Sequence, residues 1–371
     1  MLEWKLIRLG DICKTNENSY YPKDNWKFVN YLDTGSLTEN KITELQYINT
    51  KTDKMPSRAR RKVIKNSILY STVRPNQLHY GIIKEPVDNL LVSTGFTVID
   101  VDTNKAIPEF IYYLLIQNNT IEQLQAIAEQ SVSTYPSIKP SDIENLEFKL
   151  PNLIIQSKIV SILDTIDSKI RQNEKINNNL EQQTQAIYSR MFIEHRQESW
   201  STGQLSDLIS VKYGKDHKKL ADGNYPVYGS GGIIRYVEKP LHTGESVLIP
   251  RKGTLNNVIY VNEAFWSVDT MFYTEMLHPN IAKFVYHFVK SKDLASLNAG
   301  SAVPSMTTNI LNAMQLYIPD EKTLEKFENI VSPMYSAMQE NTKESKILAN
   351  TRDTLLPKLM SGELDVSDID L

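Results

Sequence analysis

The chain repeats itself once, and this internal repeat limits the available folds more than any other feature. The stretch SVSTYPSIKPSDIENLEFKLPN, which begins at Ser131, aligns with AGSAVPSMTTNILNAMQLYIPD, which begins at Ala299, a shift of 168 residues. The same shift continues without a gap through the apolar positions of the segments that follow. WKLIRLGDI at Trp4 also resembles WSTGQLSDL at Trp200. We therefore predict two copies of one unit, related by a pseudo-twofold axis.

Each copy has a variable part followed by a long helical segment. The variable parts contain short β-rich runs, broken by Gly, Pro and Asn, and then one aromatic-rich helix, which is typical of mixed α/β domains. The fold class that we predict is α+β, with two mixed α/β variable domains separated by two long helices packed as an antiparallel coiled coil. The predicted boundaries are 1–150 for the first domain, 151–195 for the central helix, 196–318 for the second domain, and 319–371 for the C-terminal helix and tail.

The long segments carry an apolar stripe of helical period. In the first segment, core positions recur every seven residues from Ile159 to Ile187, which predicts a helix over about 153–192 with a coiled-coil seam. The second segment has Ser332-Pro333 where the first has no proline. Because proline starts or breaks a helix, we expect the second helix to be broken near 332 and regular to about 356, before Pro357.

Asparagine is unusually frequent in the middle of the first helical segment, RQNEKINNNL (171–180). Asn173 corresponds to Asn341 in the second copy, and each lies near the centre of its segment. Two antiparallel helices would bring these amides together, and a buried amide pair costs stability but fixes register. We predict that Asn173 and Asn341 set the helix register. The remaining asparagines, 177–179, are interpreted as a solvated face or as a surface for another protein.

Composition and charge restrict the class of protein. The single cysteine, Cys13, excludes a disulfide framework, and no signal peptide or apolar run of membrane-spanning length is visible, so a cytoplasmic protein without a membrane partner is expected. The net charge of −3 argues against strong DNA binding by the chain alone, because phosphate contacts need basic residues. Residues 51–65 nevertheless hold seven Lys or Arg against one acid, and a smaller basic cluster covers 212–219.

The sequence contains little evidence for a catalytic motif. The glycines of 229–232 lack the Lys-Ser/Thr of a phosphate-binding loop, and no Asn-Pro-Pro-aromatic methyltransferase motif is present. The six histidines show no metal-ligand spacing, so we predict no metal site. The nuclease-like spacings Asp167-Lys169 and Glu344-Lys346 fall on the predicted helices. Nothing marks a nucleophile, although sequence alone leaves a Ser-His-Asp triad open. We predict no catalytic residue.

The organisation resembles the specificity subunit of type I restriction-modification enzymes over nearly the whole chain. The most specific local signature is LLPKLMSGEL (355–364), and YPVYGSGG (225–232) with VLIPRKG (247–253) is similar to a common target-recognition pattern. The resemblance implies that each variable domain reads one half of a split, asymmetric sequence in double-stranded DNA. It also implies that the helices set the gap and dock two modification (methyltransferase) subunits, which restriction (motor and nuclease) subunits then join. S-adenosylmethionine, ATP and magnesium would belong to those partners.

Three alternatives remain open at this point. One is the specificity subunit of a combined restriction-methylation enzyme. The others are a coiled-coil scaffold that does not bind DNA and a hydrolase hidden in a variable domain.

Polar residues in loops after β-rich runs are the candidates for DNA contact, since Arg, Lys, Asn and Gln match the donor and acceptor patterns of base edges. The repeat-matched segments STYPS (133–137) and SAVPS (301–305) are further candidates for backbone or base contact. The candidate DNA-binding residues are Arg58, Arg60, Arg61, Lys62, Arg74, Asn76, Gln77, His79 and Tyr135 in the first domain, and Lys215, Lys218, Lys219, Arg235, Arg251, Lys252, Asn256 and Asn257 in the second.

Overall fold

A computed structural model of the chain describes residues 4–131, 135–297 and 305–369. The chain divides into two compact units, Met1–Arg171 together with Glu344–Leu371, and Gln172–Lys343. Each unit holds one variable domain and a part of both long helices, so it joins segments that are distant in sequence. Within the described ranges, no helix is long and apolar enough to cross a membrane.

The first variable domain is built on two four-stranded sheets, ordered β2-β11-β8-β9 and β6-β3-β10-β7, with the ends of the domain joined by the antiparallel pair β1 and β12. Its elements are β1 (Lys5–Arg8), β2 (Cys13–Thr15), β3 (Phe28–Leu32), β4 (Leu37–Thr38), β5 (Lys41–Ile42), β6 (Gln46–Asn49), β7 (Ala59–Lys62), β8 (Ser67–Ser71), β9 (Tyr80–Ile83), β10 (Leu90–Ser93), β11 (Phe96–Val101), α1 (Pro108–Leu115), α2 (Asn118–Glu129), α3 (Pro140–Glu144) and β12 (Glu147–Leu150). The long helix α4 (Leu153–Tyr188) follows and continues as a π-helical segment, Ser189–Glu194.

The second variable domain has one six-stranded sheet, ordered β14-β19-β17-β18-β15-β16, and the antiparallel pair β13 and β20. Its elements, with the second long helix, are β13 (Ser201–Gln204), β14 (Ile209–Tyr213), β15 (Asp222–Gly229), β16 (Gly232–Val237), β17 (His242–Pro250), β18 (Ile259–Ser267), β19 (Met271–Met276), α5 (Ala282–Lys290), α6 (Thr308–Asn312), β20 (Gln315–Ile318) and α7 (Glu321–Ser361).

The two domains share one frame, which confirms the repeat. The order β2-β11-β8-β9 in the first domain is matched by β14-β19-β17-β18 in the second, with antiparallel pairing at every step. The pairs α3 and α6, β12 and β20, and α4 and α7 each begin 168 residues apart. The copies differ in what is added to the frame, a second sheet and α2 in the first domain, and β15 with β16 in the second.

The aromatic-rich helix of each copy is buried because it fills the space between the shared sheet and the long helices of its own unit. In α1, every residue from Phe110 to Leu115 is buried, and the core around it includes Ile159 of α4. In α5, Phe284 contacts the rings of Tyr188 and Phe192. Burial of a large apolar side chain contributes roughly 1.5–3 kcal/mol, so this packing stabilises the attachment of each domain to its helices.

Helix α7 is continuous from Glu321 to Ser361, so the predicted break near 332 and the predicted end near 356 were both wrong. Pro333 and Pro357 both lie on the exposed side of the helix, where water can satisfy the carbonyl groups that they leave without an amide donor. Phe327 and Val331 are fully buried before the first proline, and the partly buried Tyr335 after it packs against the same core. Tertiary packing therefore outweighs the helix-breaking tendency of proline here.

The signature LMSGEL has a structural explanation in the first unit. Leu359 and Met360 are buried in the core of the first domain. Gly362 then ends α7 with a φ of +78°, and a Cβ atom at this residue would lie 3.0 Å from the indole of Trp4. Only glycine combines the left-handed backbone with so close an approach. The stretch thus packs the end of α7 against Trp4, near the N-terminal end of the first domain.

Within each unit the two long helices run antiparallel, as predicted. In the first unit, Arg352 Nη1 lies 2.9 Å from Asp167 Oδ1, and Lys169 Nζ lies 3.3 Å from Glu344 Oε2. In the second unit, Asn177 of α4 contacts Met338 of α7. As the residue number rises along α4, the residue number of its contact on α7 falls, which shows that the two helices are antiparallel.

Candidate nucleic-acid interface

One loop of each domain is held in the same way at the end of the shared sheet. The first clamped loop (72–79) follows β8, and Ile138 N donates to Thr72 O at 2.8 Å. The second clamped loop (251–257) follows β17, and Met306 N donates to Arg251 O at 2.9 Å. A β-bridge accompanies each contact, Val73 with Ser137 and Lys252 with Ser305. The repeat-matched segments before α3 and α6 therefore clamp equivalent loops, and both loops contain predicted DNA-contact residues.

The first clamped loop has an unusual backbone. Arg74 (φ +47°) and Leu78 (φ +59°) are left-handed, and Pro75–Gln77 forms a 3₁₀ turn between them. Arg74 N donates to Pro136 O at 3.0 Å, and the Arg74 guanidinium lies 5.3 Å from the ring centre of Tyr135. Non-glycine residues in this region carry strain that persists only where the surroundings enforce it, and such residues cluster at functional sites.

The other candidates of this loop divide into exposed and engaged side chains. Asn76 and Gln77 are exposed. The backbone N–H of Asn76 donates to Gln125 Oε1 of α2 at 3.3 Å, which ties the loop to that helix. His79 is engaged, since its Nδ1 lies 2.7 Å from Leu37 O and 3.0 Å from Thr38 Oγ1. The imidazole thus anchors the end of the loop.

The second clamped loop also carries an arginine on an aromatic ring. The Arg251 guanidinium lies 5.5 Å from the ring centre of Tyr213, and its Nη1 donates to Asp269 O at 3.1 Å. Lys252 is exposed. Lys215 lies beside the same turn, because its amide donates to Ser267 O at 2.8 Å. The structure therefore gathers Arg251, Lys252 and Lys215 around residues 267–270.

Both asparagines of the second clamped loop are used to hold it. Asn256 Nδ2 donates to Asp293 Oδ1 at 3.0 Å, and its Oδ1 accepts from Ala295 N at 3.0 Å. Asn257 Nδ2 donates to Ser230 O at 2.7 Å. Since these amides already have partners elsewhere in the second domain, the exposed Lys252 beside them is the better placed for DNA.

The basic residues 58–62 lie on and next to the edge strand β7. Arg58 O accepts from Thr94 N, and the neighbouring Gly95 O accepts from Thr72 N, which places Arg58 close to the first clamped loop. Arg58 and Arg60 are exposed, and Arg60 Nε donates to Ser57 O at 3.3 Å. Arg61 is half-buried.

Two further candidates have their charge paired within the protein. Lys62 Nζ lies 2.9 Å from Asp24 Oδ2 and 5.3 Å from the Trp26 ring centre. The pKa of Asp24 is lowered, first by the Tyr21 N–H and then by Lys62. Arg235 Nη2 donates to Asp222 Oδ1 at 2.8 Å and to Leu220 O at 2.9 Å.

The last candidates of the second domain, Lys218 and Lys219, are exposed. Residues 133–134 and 301–304 of the two clamping segments lie outside the described residues. Tyr213 was missed by the sequence analysis, although it stands among the lysines of KYGKDHKK (212–219), and an aromatic residue within a basic stretch is the signal that could have found it.

The helix amides lie in the second unit and form a connected group. Asn173 is fully buried and its Nδ2 lies 3.4 Å from Asn341 O. Asn341 Nδ2 donates to Asn177 Oδ1 at 2.9 Å, and Asn177 Nδ2 lies 3.2 Å from both Met338 O and Thr342 Oγ1. Asn177 is therefore not part of a solvated face, because α7 packs directly against it. Asn178 and Asn179 are exposed. The register role of Asn173 and Asn341 stays a prediction.

Replacing Asn177 by alanine is expected to lower the free energy of unfolding by about 1–3 kcal/mol, because polar groups of α7 lose their partner. Asn178→Ala, one position away on the exposed side, is the matched control and is expected to change it by less than about 0.5 kcal/mol. Urea unfolding of both variants measures the difference. Equal effects at the two positions would contradict a specific role for the Asn177 amide.

Two potentially reactive side chains, Cys13 and His287, are buried and have shifted pKa values. Burial, with help from Asp100 and Asp102, raises the pKa of the Cys13 thiol to about 12, so this thiol is no nucleophile at neutral pH. Burial lowers the pKa of His287 to about 4, and its ring nitrogens contact Gln185 Oε1 at 2.9 Å and Tyr335 OH at 3.0 Å. Among the described residues, no group of His, Cys, Asp and Glu could hold a metal ion. The absence of a metal site in the chain as a whole stays a prediction.

Comparison with known proteins gives one consistent family. A family model described as the type I restriction modification DNA specificity domain matches residues 1–182 and again 197–348. Among curated proteins, the chain is 23% identical to the type I restriction enzyme HindI specificity subunit of Haemophilus influenzae, over 98% of this chain and 100% of the relative. It is 20% identical to the MjaIX specificity subunit of Methanocaldococcus jannaschii, over 98% of this chain and 94% of the relative.

A solved structure supports the fold. The S subunit of a type I restriction-modification system from M. genitalium aligns over 97% of this chain and 96% of its own, with 18% sequence identity and a TM-score of 0.61. The two matches of the family model coincide with the two copies of the repeat, so both copies carry the same kind of domain.

Proposed function

The chain belongs to the type I restriction-modification DNA specificity family, and from that membership we propose that each variable domain reads one half of a split, asymmetric site in double-stranded DNA. The observation that carries the proposal is the pair of clamped loops. Both are held by backbone hydrogen bonds on the same sheet frame, yet their side chains differ. A constant frame with different polar side chains is what two readers of different sequences need, because base identity is read by side chains at base edges.

The long helices have two roles in this proposal. They set the gap between the half-sites, and they dock two modification subunits, to which restriction subunits are added. Two supports come from the described residues. Each unit contains a part of both long helices, so a helical surface is present in both units. In the first unit, Ile154 and Ile347 of these helices are 69% and 66% exposed, which leaves apolar side chains for a partner to cover.

The chemistry belongs to the partners in this proposal, since the chain itself is a non-catalytic recognition subunit. S-adenosylmethionine, ATP and magnesium are bound by the modification and restriction subunits. The partners also supply many phosphate contacts, which accounts for a recognition subunit with a net charge of only −3. The complex works where the chromosome is, in the cytoplasm. A specificity subunit of a combined restriction-methylation enzyme would read DNA in the same way.

Deleting the gene is expected to remove methylation from one split motif throughout the genome. The reason is that modification subunits without a specificity subunit have no means of selecting a sequence. Mapping methylated adenines in the wild type, in the deletion strain and in a strain complemented with the intact chain measures this. Unchanged methylation in the deletion strain, with the modification gene expressed, would refute the proposal.

A further inference from the structure

The clamped loops can be matched residue by residue through their hydrogen bonds. Thr72 N donates to Gly95 O at 2.8 Å and Thr72 O accepts from Ile138 N. Arg251 N donates to Thr270 O at 2.9 Å and Arg251 O accepts from Met306 N. Thr72 therefore corresponds to Arg251, and the bridged residues Val73 and Lys252 correspond to each other.

The third position of the match is left-handed in both loops. It is Arg74 in the first, with φ +47°, and Gly253 in the second, with φ +85°. Glycine adopts this conformation without strain, and arginine does not. An arginine at a site where the other copy has glycine is best explained by a need for its side chain.

Each loop presents one guanidinium on an exposed tyrosine, although the arginine comes from a different position. Arg74 lies 5.3 Å from the ring centre of Tyr135, which is 58% exposed. Arg251 lies 5.5 Å from the ring centre of Tyr213, which is 53% exposed. A cation–π contact restrains the guanidinium group, and in Arg251 the bond from Nη1 to Asp269 O restrains it further. A restrained planar fork loses less entropy when it forms two hydrogen bonds.

Within the described residues, no carboxylate balances the charges of these two arginines. Across residues 4–131, 135–297 and 305–369, neither Arg74 nor Arg251 forms an ion pair, whereas Lys62 is paired with Asp24 and Arg235 with Asp222. Two arginines are thus held in place by aromatic rings and backbone groups without a counter-ion. An anion or a strong acceptor pair from outside the chain would complete such a site.

We propose that Arg74 and Arg251 are specificity-determining residues, each of which reads the guanine of one G·C pair in its own half-site. The inference rests on the proposed function and deepens it. Bidentate contact from arginine to O6 and N7 of guanine is the commonest specific contact in the major groove. Tyr135 and Tyr213 are positioning residues that orient the guanidinium groups.

The test uses the complete complex with its modification subunits, and a library of DNA sites in which each position of the motif is randomised. Arg74→Ala is expected to reduce discrimination at one G·C pair of one half-site by about 5- to 150-fold, and Arg251→Ala to do so in the other half-site. Arg74→Lys and Arg251→Lys keep the charge but lose the bidentate fork, so both should lose discrimination as well. The measured quantity is the relative methylation rate of each site variant.

Controls separate base reading from charge and from folding. Arg60→Ala and Lys252→Ala remove exposed cations near each loop and are expected to weaken methylation of all sites equally. Arg74→Gly relieves the left-handed strain, so a loss of discrimination in this variant does not come from unfolding.

The inference is overturned if Arg74→Ala or Arg251→Ala weakens all site variants equally, if discrimination is unchanged, or if either half of the methylated motif lacks a G·C pair. In each of those cases the proposed function stands as long as the wild-type chain still directs methylation of a split motif. If methylation of a split motif does not require the wild-type chain, the proposed function itself is refuted.

Discussion

Exchanging residues 172–343 for the equivalent segment of a relative is expected to change one half of the methylated motif and to leave the other half intact. This segment is the whole second compact unit, with the second domain and its parts of α4 and α7. The first clamped loop, with Arg74, lies in the other unit and is unchanged. The effect is all-or-none for the exchanged half-site, because every candidate contact to it is replaced at once.

The choice of boundaries matters because α5 is fastened to both long helices within the second unit. Tyr286 OH donates to Glu181 Oε1 at 2.7 Å, and Lys290 pairs with the same carboxylate. His287, fully buried, contacts Gln185 of α4 and Tyr335 of α7. An exchange limited to 200–317 would replace α5 but keep its helix partners, and buried polar groups would then lose their hydrogen bonds.

The exchange of 200–317 is therefore the informative control. It should yield a chain that unfolds at lower urea concentration than the exchange of 172–343, while the two chimaeras direct the same new half-site when folded. Sequencing of methylated DNA reports the motif, and urea unfolding reports the stability. A change in both halves of the motif after the 172–343 exchange would show that the domains do not read independently.

Replacing Lys283 by methionine is expected to lower the free energy of unfolding by about 2–4 kcal/mol, since it leaves two partly buried carboxylates without their cation. Lys283 is 4% exposed, and its Nζ lies 2.8 Å from Glu245 Oε1 and 2.5 Å from Glu328 Oε1. Tyr260 and Tyr335 place their rings within 5.6 Å of the same ammonium group. Lys326→Met, an exposed position on α7, is the matched control with an expected effect below about 0.5 kcal/mol.

The pH dependence of this loss has a definite sign. Burial opposes ionisation of Glu245, but hydrogen bonds from Lys283 and Tyr260 and the charge of Lys283 outweigh it and lower the pKa of the carboxyl below its ordinary 4.5. This contribution to stability is present above the ordinary pKa and is lost as pH falls through the lowered one. The deficit of Lys283→Met should thus be largest at neutral pH and shrink in acid. Adding Glu328→Gln to the variant should recover part of the loss, and no recovery would contradict an electrostatic origin.

The internal repeat and the long helices could be predicted because their signals are local in the sequence. The repeat shift placed α3 with α6, β12 with β20, and α4 with α7, because prolines and apolar periodicity mark the same positions in both copies. The helix break predicted at Pro333 was wrong because local propensity does not include tertiary packing. The buried side chains of Phe327 and Val331 stabilise the helix just before the proline. The second sheet of the first domain, β6-β3-β10-β7, could not be ordered from sequence, since its strand pairs join distant segments.

For the candidate site, the sequence indicated which residues lie on the loops but not which side chains are already hydrogen-bonded within the protein. Residue type and loop position pointed to Arg74 and Arg251, and both lie on the clamped loops. The same reasoning selected Asn256, whose amide is held by Asp293 and Ala295. Which polar groups are already satisfied depends on residues far along the chain, and no local pattern records that.

The discontinuous first unit has a consequence for synthesis on the ribosome. The second unit is a single stretch of chain and can fold as soon as residue 343 has emerged. The first domain, although made earlier, must wait for Leu356, Leu359, Met360 and Val366, which lie buried in its core. The part that is translated first is therefore completed last, and until then its apolar core is open to chaperones and to wrong partners.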